Sequence, residues 1–139
     1  MKTIKTLIKV QKQKLDMVRR NLVSLETQMA QLNMLNEKLE KDLAAEIELA
    51  DKSAELSSFF GDYIKRIRAR QERLRKEIRD LDVQVEMARE VVRHEYGEQL
   101  KYEKILENKM IEAKREADRK EGIELDDIAA NQHARKEDV

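Results

Sequence analysis

The chain has 139 residues, 42% of them charged and 4% aromatic, and its 29 basic and 29 acidic residues give a formal net charge of zero. This balance argues against nucleic acid as the main partner, because nucleic-acid binding depends on a surplus of Lys and Arg. With three Gly and no Pro or Cys, the chain has few turn residues for a compact globular domain, so the composition favours long helices or a coiled coil.

The first predicted element is a helix from about residue 4 to about residue 50. Alternating steps of four and three residues meet an apolar side chain at ten of twelve positions. These positions are Ile4, Ile8, Gln11, Leu15, Val18, Leu22, Leu25, Met29, Leu32, Asn36, Leu39 and Leu43. A 4-3 repeat of this length indicates a left-handed coiled-coil seam. The basic start of the helix lacks the continuous apolar core of a signal peptide or a membrane span, and we expect a cytoplasmic protein.

Residues 51–58 form a predicted bend. Ser57 or Ser58 is available to cap a second helix, and Phe59 and Phe60 follow directly. We interpret the Phe pair as closing the bent end of the seam. The alternative is one continuous helix of more than about a hundred residues that self-associates as a long rod.

A second helix is predicted from about residue 58 to about residue 121. The 4-3 stepping restarts after the bend with nine of ten positions apolar. These positions are Phe60, Ile64, Ile67, Gln71, Leu74, Ile78, Leu81, Val85, Ala88 and Val92. Gly122 is expected to end this helix. Residues 122–139 would then be an acidic and polar tail, partly disordered, and residues 1–121 a hairpin domain.

The polar residues on the two seams distinguish a hairpin from a rod. If the chain turns near residue 53, opposite residues have numbers that add to about 107, as in any antiparallel pair. Asn36 and Gln71 meet this condition, and so do Gln11 and Glu95. Buried polar residues prefer to face each other, because one that faces Leu loses its water and gains no partner. The sequence therefore predicts an all-α fold, a long antiparallel two-helix coiled coil.

No group in the sequence indicates an enzyme, a cofactor or a metal site. His94 and His133 lie far apart without Cys or paired Asp and His, and the three Gly are isolated, so no phosphate-binding loop is present. The run Lys65–Arg79 contains six Arg. It is interpreted as a solvated flank of the seam, and the alternative is a basic docking face for an acidic protein surface.

The second helix is longer than the first, so its end has no intramolecular partner. Leu106, Met110 and Ile111 lie on this overhang. An exposed apolar stripe of this kind either frays or binds another protein.

Three stretches of the chain resemble the FliJ family of flagellar export proteins. They are the start "TLIKVQKQKLDMVRRNLVSLE", the post-bend "FFGDYIKRIRARQERL" and the end "QLKYEKILENKMIEAKREADRKEGIELDDIAANQHARK". The end is the most specific, because members commonly close a long charged helix with an acidic-hydrophobic element like "ELDDIA". The resemblance extends over most of the chain.

The resemblance implies a soluble, non-enzymatic component of the type III export apparatus. Family members fold as an antiparallel two-helix coiled coil, insert the end that carries the termini into the export ATPase hexamer, contact the export gate membrane protein and bind export chaperones. The ring contact would involve Leu106, Met110 and Ile111. The gate contact would involve Phe59, Tyr63, Ile67, Arg70 and Leu74, although Arg70 stands where the family has a small residue.

Two other functions remain compatible with the sequence. One is the equivalent stalk of a virulence type III secretion system, and the other is a self-assembling structural coiled coil without an ATPase partner. For an export component, the expected location is the cytoplasm, at the inner face of the bacterial cell membrane and attached to it only through its partners.

Overall fold

The computed structural model describes the backbone of residues 1–52 and 54–137 and the side chains of residues 1–52 and 60–137. The described backbone forms two α-helices, α1 over Lys2–Lys52 and α2 over Ala54–Glu137. The first sixty residues contain neither Gly nor Pro, so no residue interrupts the hydrogen-bond ladder of α1.

The two helices pack against each other as an antiparallel helical hairpin, as the sequence predicts. Glu26 pairs with Arg89 and Glu40 pairs with Arg75, each at 3.6 Å. The second pair lies fourteen residues further along α1 and fourteen residues earlier along α2, which is the relation of antiparallel helices. The chain divides into two compact units. The terminal unit comprises Met1–Gln13 and Glu95–Val139, and the central unit comprises Lys14–His94.

The predicted seam is where the two helices meet. All twelve predicted positions on α1 and all ten on α2 are buried or half-buried. Leu15 and Val85 are the most enclosed, with 2% and 3% of their surface exposed, whereas Met17, which lies off the seam, is 66% exposed. Burial of one Leu or Val side chain contributes about 1.5–3 kcal/mol, so the repeated pattern stabilises the helix pair.

The predicted polar pair of the terminal unit is confirmed. The Gln11 Nε2 group donates one hydrogen bond to the Glu95 carboxylate at 2.6 Å and another to the Glu95 backbone carbonyl at 2.9 Å. Both residues are buried. Since these two polar side chains satisfy each other across the seam, sliding either helix by one turn would break this buried pair.

The other predicted polar pair, Asn36 and Gln71 in the central unit, is enclosed without a hydrogen bond between its members. Gln71 is 4% exposed and Asn36 is half-buried. Among the described residues, Asn36 Oδ1 and Gln71 Nε2 have no hydrogen-bond partner. Asn36 Oδ1 is an acceptor and Gln71 Nε2 is a donor, so a hydrogen bond between these two atoms stays a prediction.

The helix ends differ from the expected ones. Ser57 and Ser58, expected as caps, lie inside α2, which begins at Ala54. Gly122, expected to end the second helix, lies within α2, which continues to Glu137. Gly122 has no positive φ angle, so it does not form the left-handed cap that usually ends a helix at Gly. The surrounding Ala, Glu, Lys and Arg are strong helix formers, which accounts for the continuation.

Candidate partner-binding surfaces

The C-terminal part of α2 carries an apolar surface that α1 does not cover. Met110 and Ile111 are 53% and 41% exposed, and Leu106 is half-buried. They border a shallow groove of about 510 Å³. The groove is lined by Glu103, Leu106, Glu107, Met110, Ile111 and Lys114, and we call these six residues the C-terminal face.

The length of α1 explains why this face is uncovered. Gln11 lies opposite Glu95, and the helices are antiparallel, so α1 runs out about ten residues beyond Glu95 on α2. After Leu106, every described residue of α2 except Gly122 is exposed. The structure therefore brings together the three residues that the sequence predicted for the ring contact, and leaves them accessible.

The residues predicted for the gate contact have unequal exposure. Arg70 is exposed, Tyr63 and Ile67 are half-buried, and Leu74 is only 6% exposed because it belongs to the seam. The prediction for Phe59 concerns a side chain outside those that the structure describes. A partner approaching this part of α2 would meet Arg70 and the edges of Tyr63 and Ile67.

A groove between the two helices lies beside Arg70 in the central unit. Its volume is about 260 Å³. It is lined by Leu32, Leu35, Arg70, Arg73, Leu74 and Glu77, and we call these residues the basic groove. The three Leu residues are buried or half-buried, and Arg70, Arg73 and Glu77 are exposed.

The described residues include no group of three or more His, Asp or Glu side chains placed to hold a metal ion. Most of the ion pairs among the described residues are exposed pairs three or four residues apart along one helix, such as Lys104 with Glu107. The hydrogen bond from Arg119 lowers the pKa of the exposed Glu116 carboxyl. Such pairs add little to stability and provide no enclosed site for chemistry.

Within the described ranges, neither helix has a stretch that is both long enough and apolar enough to cross a membrane.

Sequence reasoning missed several residues of these surfaces. Leu35 falls between two 4-3 positions, so the repeat assigned it to the outside, yet it is half-buried and lines the basic groove. Glu103, Glu107 and Lys114 border the C-terminal face. Glu107 and Lys114 lie three or four residues from Met110 and Ile111, and Glu103 lies three residues before Leu106. These spacings are the signal that places them on the same side of a helix.

Comparison with known proteins identifies the family of this chain. The sequence profile described as "Flagellar FliJ protein" matches residues 1–138, essentially the whole chain. No curated protein and no solved structure matches the chain. The match confirms the resemblance of the three quoted stretches, and the hairpin agrees with the fold that the resemblance implied. The chain therefore belongs to the FliJ family and is a protein related to flagellar export.

Proposed function

We propose that this protein is the non-enzymatic central stalk of the flagellar export ATPase, with the terminal unit bound inside the ATPase hexamer. The observation that carries the proposal is the C-terminal face, where Leu106, Met110 and Ile111 continue α2 beyond the end of α1. Exposed apolar side chains on an unpaired helix favour a protein partner.

The charges around the C-terminal face suit a ring that turns about a stalk. Glu103, Glu107 and Lys114 surround the apolar side chains, so the contact combines a small apolar area with charges of both signs. Such contacts give orientation and specificity more than raw affinity. A stalk that passes asymmetry from one subunit to the next needs contacts that change as the ring changes shape.

The other partners belong to the same proposal. The exposed Arg70 and the half-buried Tyr63 and Ile67 are the residues available for the export gate, and export chaperones bind the protein as further partners. The protein acts in the cytoplasm and reaches the inner face of the cell membrane through the gate. The membership of the chain in the FliJ family is what supports these assignments.

ATP hydrolysis by the purified hexamer tests the proposal. Replacing Met110 and Ile111 with Asp places two carboxylates where apolar contact is needed, so we expect the concentration of stalk for half-maximal activation to rise about tenfold or more. The matched control replaces the exposed Met34 and Val83 of the central unit with Asp and should change activation little.

Variants near the bend test which end of the proposed stalk contacts which partner. Replacing Phe59 and Tyr63 with Ala should leave ATPase activation intact and weaken binding to the gate's cytoplasmic part. Circular dichroism of every variant checks that the helices remain folded. Loss of activation in the bend variant, with full activation by the Met110 and Ile111 variant, would show that the assignment of the two ends is reversed.

A further inference from the structure

Positive charge is concentrated in one stretch of the central unit, residues 65–79 of α2. Residues 65–79 contain eight Lys or Arg and two Glu, a net charge of +6 in a chain whose total charge is zero. Among the described residues, only Arg75 of these eight has an ion-pair partner, and its partners are Glu40 and Glu72. Residues 27–36 of α1, which include the Leu32 and Leu35 lining of the basic groove, contain no charged residue.

The basic groove has the features of a site for a helix with an acidic edge. Its three Leu residues are buried or half-buried, and Arg70 and Arg73 are exposed beside them, with Glu77 as the one acidic residue of the lining. Arg side chains bind carboxylates with two parallel hydrogen bonds. Among the described side chains of residues 60–82, no large apolar one is highly exposed, so this surface has no side chain to insert into a bilayer. A narrow apolar ridge flanked by carboxylates fits the groove better than a lipid surface does.

The terminal unit carries such a ridge. Residues 121–128 contain four acidic residues and no basic one. Leu125 and Ile128 are 58% and 53% exposed. Glu121 precedes Leu125 by four residues and Glu124 precedes Ile128 by four, so all four side chains share one side of α2. We call Glu121, Glu124, Leu125 and Ile128 the acidic face.

We propose that the acidic face of one copy of this protein docks in the basic groove of a second copy. The segments that carry the two surfaces are opposite in charge, +6 for residues 65–79 and −4 for residues 121–128, and each surface also has apolar side chains. The zero net charge of the whole chain leaves little overall repulsion between copies. Each copy remains an intramolecular hairpin, and the contact joins unlike surfaces, so dimers and larger assemblies form head to tail.

Sedimentation velocity over a concentration series tests the proposal. We expect association in about 10 mM salt and its loss in about 1 M salt, because the screening length falls from about 30 Å to about 3 Å. Two variants reverse one surface each. Arg70→Glu with Arg73→Glu reverses the groove, and Glu121→Arg with Glu124→Arg reverses the acidic face. Each alone should associate about tenfold or more weakly than the native protein.

Mixing the two variants should restore association, because the intact acidic face of the first meets the intact groove of the second. A matched control, Lys65→Glu with Lys76→Glu, makes the same change of charge on α2 outside the groove and should weaken association less than the groove variant does. Circular dichroism checks the fold of each variant.

Four results would overturn the proposal: a native protein that stays monomeric in low salt, variants that associate like the native protein, a mixture that fails to restore association, and a control as weak as the groove variant. A native protein that stays monomeric yet sediments with phosphatidylglycerol vesicles would assign the basic groove to a lipid surface instead.

Discussion

Gln11 and Glu95 show how two side chains set the alignment of a helix pair. An amide donor of Gln11 meets the Glu95 carboxylate at 2.6 Å in a buried layer. A hydrogen bond to a charged group contributes about 1.5–3 kcal/mol, and removing one buried partner costs the full desolvation of the other. The pair therefore discriminates against other alignments more than it adds to stability.

A double-mutant cycle measures this contribution. Gln11→Leu removes the buried amide donor to Glu95, and we expect it to lower the free energy of unfolding by about 1–3 kcal/mol. The double variant Gln11→Leu with Glu95→Leu replaces both polar groups with apolar ones and should recover most of that loss. Urea unfolding followed by circular dichroism gives the values for Gln11→Leu, for Glu95→Leu and for the double variant. A double variant whose loss of stability equals or exceeds the sum of the two single losses would contradict the pairing.

At the scale of the helices, the sequence predicted the residues that helix packing buries and missed the helix end, which packing does not determine. Burial follows the 4-3 positions because a helix pair meets along one stripe, so Leu15 and Val85 were identifiable in advance. The course of α2 beyond Leu106 has no such signal, since nearly every described residue there is exposed. Gly122 was therefore interpreted from its residue type alone, and its position inside α2 depends on the helix propensity of its neighbours.

The candidate partner-binding surfaces were predictable in part for the same reason. Met110 and Ile111 were identifiable because the longer second helix leaves them without an α1 partner. The basic groove was not, because it needs Leu35 from one helix and Arg73 from the other. A repeat along one helix does not report which flanking side chains meet across the pair.

The substitution Gly122→Ala tests the continuity of α2. Gly122 has no positive φ angle, and an added Cβ atom would meet no atom within 4 Å. Ala is more favourable than Gly inside a helix by about 0.5–1 kcal/mol, so we expect greater helicity on both sides of residue 122. Backbone chemical shifts measured by NMR report it residue by residue. If Gly122 instead ended the helix in a left-handed conformation, Ala would reduce the helicity.

At the scale of the whole molecule, the antiparallel hairpin determines which surfaces are left for partners. Within the terminal unit, α1 begins opposite the part of α2 where the C-terminal face starts. Because the hairpin forms within one chain, every single molecule has a C-terminal face that α1 leaves uncovered.

A disulfide tests the hairpin and its alignment together. Cys at positions 36 and 71 should oxidise to an intrachain disulfide. The Cα atoms of two residues in one seam layer can approach the roughly 4.4–6.8 Å that a disulfide needs. Non-reducing electrophoresis separates monomer from dimer, and Cys at the exposed positions 34 and 83 serves as the control that should not close. Disulfides that form only between chains would rule out the hairpin.

Hydrogen–deuterium exchange with and without the purified export ATPase hexamer is the most direct test of the proposed ring contact, because it locates that contact on the native protein. If the C-terminal face binds the hexamer, exchange should slow at residues 103–114, which carry that face, and stay unchanged at residues 60–79. Protection confined to residues 60–79, with residues 103–114 unaffected by the hexamer, would contradict binding through the C-terminal face.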